Sequence, residues 1–392
     1  MKEQQENIPM RELPVQKPNE AKKAQDRSIG RYFCALHERP ARVFAPGVTS
    51  GRQSLINLLS NKWVSGTVLH YYFFDRDTDG QNVQFTDGTT EWFSWVGAEA
   101  QKEVVRAASK IWESVGIGIE FREVFDREDA EIRIGFMQGD GAWSWLGREI
   151  LEHGPNIRTM NFGWDLTQRG EIDTAIHEIG HTLGFPHEHQ NPKAGIIWDE
   201  EAVYEALAQP PNNWDRDTTF WNIIRKLPSN EVEGTTWDPN SIMHYPFEKG
   251  LIKKPDEYAI NGLRPAGGLS AKDKSWVKTL YPTVHKTHNA VKEQLMPSQS
   301  VLLKLSAGDQ RNFTVLPQET RFYNFQTFGT SDSIMVLFED ENGELRYRTG
   351  DDDSGQDTNA FFKIKLIKGH KYLLRIRMYF NDRPQETAVM MW

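Results

Sequence analysis

Cysteine is almost missing from this chain: Cys34 is the only one in 392 residues. An internal disulfide is therefore excluded, and stability has to come from packing, for which a chain of this length has ample material. Apolar runs long enough to cross a bilayer are also lacking, so no transmembrane segment is expected. Positive charge is not in excess. The 46 basic residues are outnumbered by 55 acidic ones, a net charge of −9 with no basic stripe, which argues against a nucleic-acid partner. The first thirty residues have no apolar centre of a secretory signal and, rich in Lys, Glu, Gln and Pro, read as a disordered tail. What is left, 38% hydrophobic and 26% charged, has the composition of an ordinary globular protein of two or three domains.

What is present concentrates in one stretch, His177-Glu178-Ile179-Gly180-His181-Thr182-Leu183-Gly184-Phe185-Pro186-His187-Glu188. On a helix, His177 and His181 are four residues apart and project from one face, so both reach a single ion with Glu178 beside them. Ile172, Ala175, Ile176, Ile179 and Leu183 recur at helical spacing and supply the buried face that holds them. Gly184 stops the helix, because glycine takes the left-handed conformation that turns the chain, and the turn brings His187 back toward the same metal. Three neutral nitrogens leave the fourth position of Zn²⁺ open for water. Zinc lowers the pKa of that water, and Glu178 is the expected general base that takes its proton and then delivers it to the leaving amine. The expected function is a zinc-dependent endopeptidase.

A second motif, Ser241-Ile242-Met243-His244-Tyr245-Pro246, lies downstream. Here the sequence resembles the metzincin superfamily, with its methionine turn beneath the zinc histidines. It is most similar to the astacin family. That closer resemblance is carried by the Gly-Phe-Pro-His-Glu-His run ending at His189, the Ser-Ile-Met-His-Tyr turn, the stretch Gly141 to Arg148, and Lys62-Trp63 followed by Val68 to Phe74. It spans about residues 60 to 283. The resemblance implies His177, His181 and His187 as ligands, Glu178 as base and Met243 as the residue under the metal. It also implies that Tyr245 is a resting-state ligand that swings away to stabilise the oxyanion. The alternative for Met243 and Tyr245 is core packing.

Two departures from that family stand out. Its animal members carry disulfides, which this chain cannot form, and they tie a new amino terminus to the glutamate after the third histidine, here Glu188. Gln190-Asn191-Pro192-Lys193 lacks the arginine and acidic residues that follow in the family, which leaves the role of Glu188 open. Cys34, ahead of the catalytic region, is a candidate latency ligand, because a thiolate is a good fourth partner for zinc held by three imidazoles. The alternative is a small buried residue among Phe33, Ala35 and Leu36. His37 is a weaker candidate for the same role.

The order of elements fits an α+β catalytic lobe: a strand from Val68 to Phe74, a helix around Val104 to Val115, and a strand over Glu131 to Phe136. Trp143 to Ile150 is expected as the strand edging the cleft, where an extended peptide pairs with the backbone. Asp75-Arg76-Asp77-Thr78-Asp79-Gly80 imitates a calcium loop in part, with Thr86 where a bidentate glutamate belongs. The acidic turn Asp351 to Gly355 is a second weak calcium candidate.

Short alternating segments at 301–305, 321–328, 333–338, 361–367 and 372–378 predict an all-β sandwich, similar to the domain appended to many secreted bacterial peptidases. The division expected is a polar tail and inhibitory pro-segment at 1–55, a zincin domain of metzincin type at 56–284, a linker at 285–300 and the sandwich at 301–392. The expected partner is a protein or peptide substrate, the expected cofactor Zn²⁺, and the oligomeric state is left open. The second reading is a catalytically silent zinc-containing protein that binds through its sandwich. The expected location is outside the cell by a route without a signal peptide, with the cytoplasm as the alternative.

Overall fold

The computed structural model describes Cys34, Leu36 and residues 62–392 except 86–87, 210–211, 228–235, 284–292, 307–308, 353, 356–358 and 379–383. The expected tail and pro-segment, with His37, lie outside the described residues apart from Cys34 and Leu36.

Strand β1 (Thr67–Phe73) is mostly apolar, His70 being the main exception, and is buried along almost its whole length. The hairpin of β2 (Gly80–Gln84) and β3 (Thr90–Ser94) follows. Helix α1 (Glu99–Ser114) comes next and turns Val105, Ala108 and Trp112 inward at helical spacing. Strands β4 (Ile119–Glu123), β5 (Ile132–Gly135), β6 (Trp143–Ser144) and β7 (Met160–Asn161) complete a five-stranded sheet in the order β4-β1-β5-β7-β6. Its pairings are parallel except at the edge, where β6 runs antiparallel to β7.

The edge strand is shorter than its sequence suggests. It ends at Ser144, and a 3₁₀ helix takes over at Gly147–Glu152. Gly147 sits at φ 53°, in the left-handed region that a continuing strand does not use.

Helix α2 (Ile172–Thr182) packs on α1, where Trp112 Nε1 donates to the Ile176 carbonyl at 2.9 Å. It ends where expected, with Gly184 at φ 91°. Beyond it come β8 (Ile197–Trp198), α3 (Glu200–Leu207), α4 (Arg216–Thr219) and a π-helical turn at Phe220–Ile224. Strand β9 (Ile252–Lys254), α5 (Asp256–Asn261) and α6 (Ala271–Leu280) close this half of the molecule. None of these short elements stood out in the sequence.

The C-terminal residues form two facing sheets with their own apolar core. One contains β10 (Glu293–Gln294), β12 (Gln310–Val315), β14 (Ser333–Glu341), β15 (Glu344–Asp351) and β17 (Tyr372–Met378). The other contains β11 (Ser300–Leu305), β13 (Arg321–Phe328), β16 (Phe361–Leu366) and β18 (Gln385–Met391). The five expected strands are all present. The polar connection ends earlier than its periodicity suggests, because β10 already pairs with β12 and Leu295 is fully buried. The architecture as a whole is α+β with an all-β C-terminal region.

The sandwich packs directly on the first half. Val64 joins an apolar cluster with Ile334, Val336, Phe338 and Leu373. Arg148 donates to the Tyr347 hydroxyl at 2.6 Å and to the Gly350 carbonyl at 3.0 Å. Arg375, buried against the ring of Phe338, donates to the Ser65 carbonyl at 2.9 Å. Gly66 is required beside it, since any side chain there would overlap the guanidinium and its φ of +87° is strained for other residues.

Candidate metal centre

Three local features aim the histidines. Helical spacing puts His177 and His181 on one face of α2, and the turn at Gly184 returns His187 to meet them. Each of the first two rings is then fixed by its far nitrogen. His177 Nδ1 donates to the Ile242 carbonyl and His181 Nδ1 to the Phe185 carbonyl, both at 2.7 Å. This leaves the Nε2 lone pairs facing inward, the arrangement that sets a ligand tautomer.

The methionine turn is itself tied down. Ser241 Oγ and the Ile242 amide both donate to Asp273, at 2.7 and 2.8 Å, and Asp273 also closes a capping box with Ser270 at the start of α6. Met243 is buried and packs on Gly180, where an added Cβ would overlap the Met243 sulfur. The glycine within the histidine motif is therefore a packing requirement, which the sequence reading missed.

Cys34 completes the cluster. One donor atom from each of Cys34, His177, His181 and His187 lies within 4.8 Å of the other three, and all four residues are buried. His181 Nε2 and His187 Nε2 are 3.1 Å apart, near the roughly 3.4 Å expected between nitrogens of a tetrahedral zinc with bonds of about 2.0–2.1 Å. His177 Nε2 is buried with no hydrogen-bond partner among the described residues, an orphaned lone pair that a cation satisfies. Three imidazoles and a thiol are a donor set for Zn²⁺.

Around these donors the electrostatics are those of a dry pocket. Burial pulls the His177 pKa down to about 4 and drives His181 and His187 well below the usual imidazole range, so all three rings are neutral. Burial pushes Glu178 up to about 8, with the hydrogen bond from Cys34 acting the other way. Burial, then the nearby Glu178, hold the Cys34 thiol well above its ordinary pKa, with the Tyr245 hydroxyl and then the Ser144 backbone acting the other way. A dication among the imidazoles would favour the ionised form of both groups.

Tyr245 stacks on His177 and lies tilted against His189. Its hydroxyl donates to the Cys34 carbonyl at 2.5 Å and also meets His187 Nε2. Glu188 finds a role in the architecture: its Oε1 accepts from the Asp238 amide at 3.0 Å and from Asn191 Nδ2 at 3.2 Å, and its own amide donates to the Met243 carbonyl at 3.0 Å. It thereby joins the third-histidine segment to the methionine turn.

The two calcium candidates are used internally. Both oxygens of Asp79 meet Arg127, at 2.8 and 2.9 Å, so a guanidinium stands where a cation would. Asp351 accepts from the Ser354 amide and hydroxyl and from the Phe361 amide, which makes it a turn-closing residue. Asp353 lies outside the described residues.

Comparison with known proteins bears on the same region. Residues 92–256 match the family described as Astacin, a family of peptidases. Bone morphogenetic protein 1 of Xenopus laevis is 29% identical over 193 residues, 46% of this chain and 24% of that protein. Zinc metalloproteinase nas-36 of Haemonchus contortus is 30% identical over 138 residues, 35% of this chain and 19% of that protein. The chain thus spans a quarter or less of the length of these relatives. Among solved structures, that of myroilysin is 30% identical, with 58% of this chain and 98% of that one covered at a TM-score of 0.49.

Proposed function

We propose that this chain, an astacin-like metzincin over the region of its histidine motif, is a zinc-dependent endopeptidase held latent by Cys34. The observation that carries the reading is the convergence of one sulfur and three imidazole nitrogens on a single point, with Glu178 at the edge of the cluster. His177, His181 and His187 would hold the metal in both states, and Cys34 in the latent one. Bound zinc would supply Lewis acidity and a water of lowered pKa at the position the thiol vacates.

The chain's own residues account for the rest of the reaction. Glu178 takes a proton from the attacking water as its oxygen bonds to the carbonyl carbon of the substrate. It delivers that proton to the amine nitrogen as the C–N bond breaks. Tyr245, released from the Cys34 carbonyl, donates its phenolic hydrogen bond to the oxyanion that develops. Strand β6 is the outermost of its sheet, the position at which an extended peptide adds as a further strand. In this reading residues 1–55 are the tail and pro-segment and 56–284 the catalytic domain, and the linker expected at 285–300 gives way at β10 to the accessory sandwich that runs to 392. The enzyme works outside the cell, to be checked by its recovery from the medium rather than the cell pellet.

The test uses the zinc-loaded full chain carrying Cys34→Ala and an unfolded polypeptide. Cleavage is expected, along with its loss on chelation. Adding Glu178→Ala should abolish cleavage with zinc still bound. Intact polypeptide under all conditions would sink the peptidase reading and favour a binding protein acting through its sandwich.

A further inference from the structure

Asn222 sits in the π-helical turn Phe220–Ile224, beside the histidine cluster, and is 4% exposed. Single π-turns within helices recur at functional sites. Its side-chain amide nitrogen donates to the Thr218 carbonyl at 3.1 Å, and its own carbonyl accepts from His189 Nε2 at 2.9 Å. With the nitrogen committed to its own helix, Oδ1 faces the N-terminal segment and accepts the Leu36 amide at 2.9 Å. Two residues earlier, the Cys34 carbonyl rests on the Tyr245 hydroxyl. Leu36 and Cys34 are thus each held at the main chain, one by the acceptor Asn222 and the other by the donor Tyr245.

Neither contact reads a side chain. An acceptor for a main-chain N–H and a donor to a main-chain carbonyl would grip any polypeptide, and both become vacant when the segment leaves. We infer that Asn222 is a substrate-positioning residue, whose Oδ1 receives one main-chain N–H of the bound polypeptide near the scissile bond. A proline at that substrate position, having no N–H, is then disfavoured. The inference rests on the peptidase reading above and extends it to one particular contact with the substrate backbone.

The test is a methyl scan of a cleaved peptide, in which each main-chain nitrogen from three residues before the scissile bond to three after it is N-methylated in turn. KM and kcat are measured with the zinc-loaded full chain carrying Cys34→Ala, with and without Asn222→Ala. One methyl position should raise KM by about tenfold with Asn222 in place, the effect of a lost neutral hydrogen bond, and by much less with Asn222→Ala. Asn222→Asp keeps an acceptor but loses the donor to Thr218, so it should retain the methyl penalty. If Asn222 only supports its helix, Asp and Ala behave alike. Methyl penalties of equal size in all three backgrounds would overturn the role of Asn222 and leave the peptidase reading intact. Absence of Glu178-dependent cleavage of the unmethylated peptide would remove both.

Discussion

Cys34 Sγ lies 3.5 Å from Glu178 Oε2, with the thiol hydrogen directed at the carboxylate. One small side chain therefore meets both the three imidazoles and the carboxylate proposed as the base. Full-length Cys34→Ala should cleave a peptide at least about tenfold faster than the full-length wild type, the factor that separates states differing by about 1.4 kcal/mol. Equal initial rates for the two proteins would show that the thiol restrains nothing.

Gly180 has room for a hydrogen only, because Met243 and Trp112 close over it. Gly180→Ala should improve the intrinsic helix propensity of α2 and still destabilise the protein, by about 1–3 kcal/mol, as overpacking displaces the methionine turn. Urea unfolding measures the difference. A stabilised variant would mean that Met243 yields without cost.

Trp63 links the two halves. Its Nε1 donates to the Thr182 carbonyl at the end of α2 at 2.8 Å, and its ring meets Tyr347 of the sandwich edge-on, with centroids 5.9 Å apart. Trp63→Ala should cost about 3–5 kcal/mol, and Trp63→Phe, which keeps much of the ring and loses the hydrogen bond, about 1–3 kcal/mol. Calorimetry of both variants gives the ranking, and a larger loss for Phe than for Ala would contradict it.

His70 is buried between Glu131, 3.1 Å from Nδ1, and Glu344 of the sandwich, 2.5 Å from Nε2. Burial lowers its pKa, but the bonds to Glu131 and then Glu344 outweigh this and Arg346 only partly opposes them, so the net shift is upward. Arg122 also faces Glu344, at 2.8 Å. A raised folded-state pKa means the stabilisation is fully present below the unfolded value of about 6.5 and is lost as pH rises through the folded value. The gap in unfolding free energy between wild type and His70→Gln should therefore be larger near about pH 6 than near about pH 9. A gap that widens with pH would contradict the assignment.

Helix α2 was legible in the sequence because two patterns coincide there, apolar residues at helical spacing and two histidines four apart, with Gly184 marking the end. The contact between Cys34 and Glu178 was not, since it joins residues 144 positions apart and no local pattern encodes it. The same holds for Asp273 under the methionine turn, although Ser270 and Asp273 carry a capping-box spacing that a search for helix starts would find. Strand β15 escaped notice because Leu345 and Tyr347 on it are only partly buried, packing against Val64 and its neighbours, so the strand never shows clean alternation. The edge strand was read too long because Trp143 and Trp145 imitate a β pattern that Gly147 then breaks.

Zinc K-edge absorption of the metal-loaded full chain, beside the same chain carrying Cys34→Ala, tests the proposed centre most directly. One zinc per chain is predicted, with three nitrogen scatterers near about 2.0–2.1 Å and one sulfur near about 2.3 Å, the sulfur disappearing in the variant. A first shell without sulfur in the unmodified protein, or metal well below one equivalent, would contradict the account.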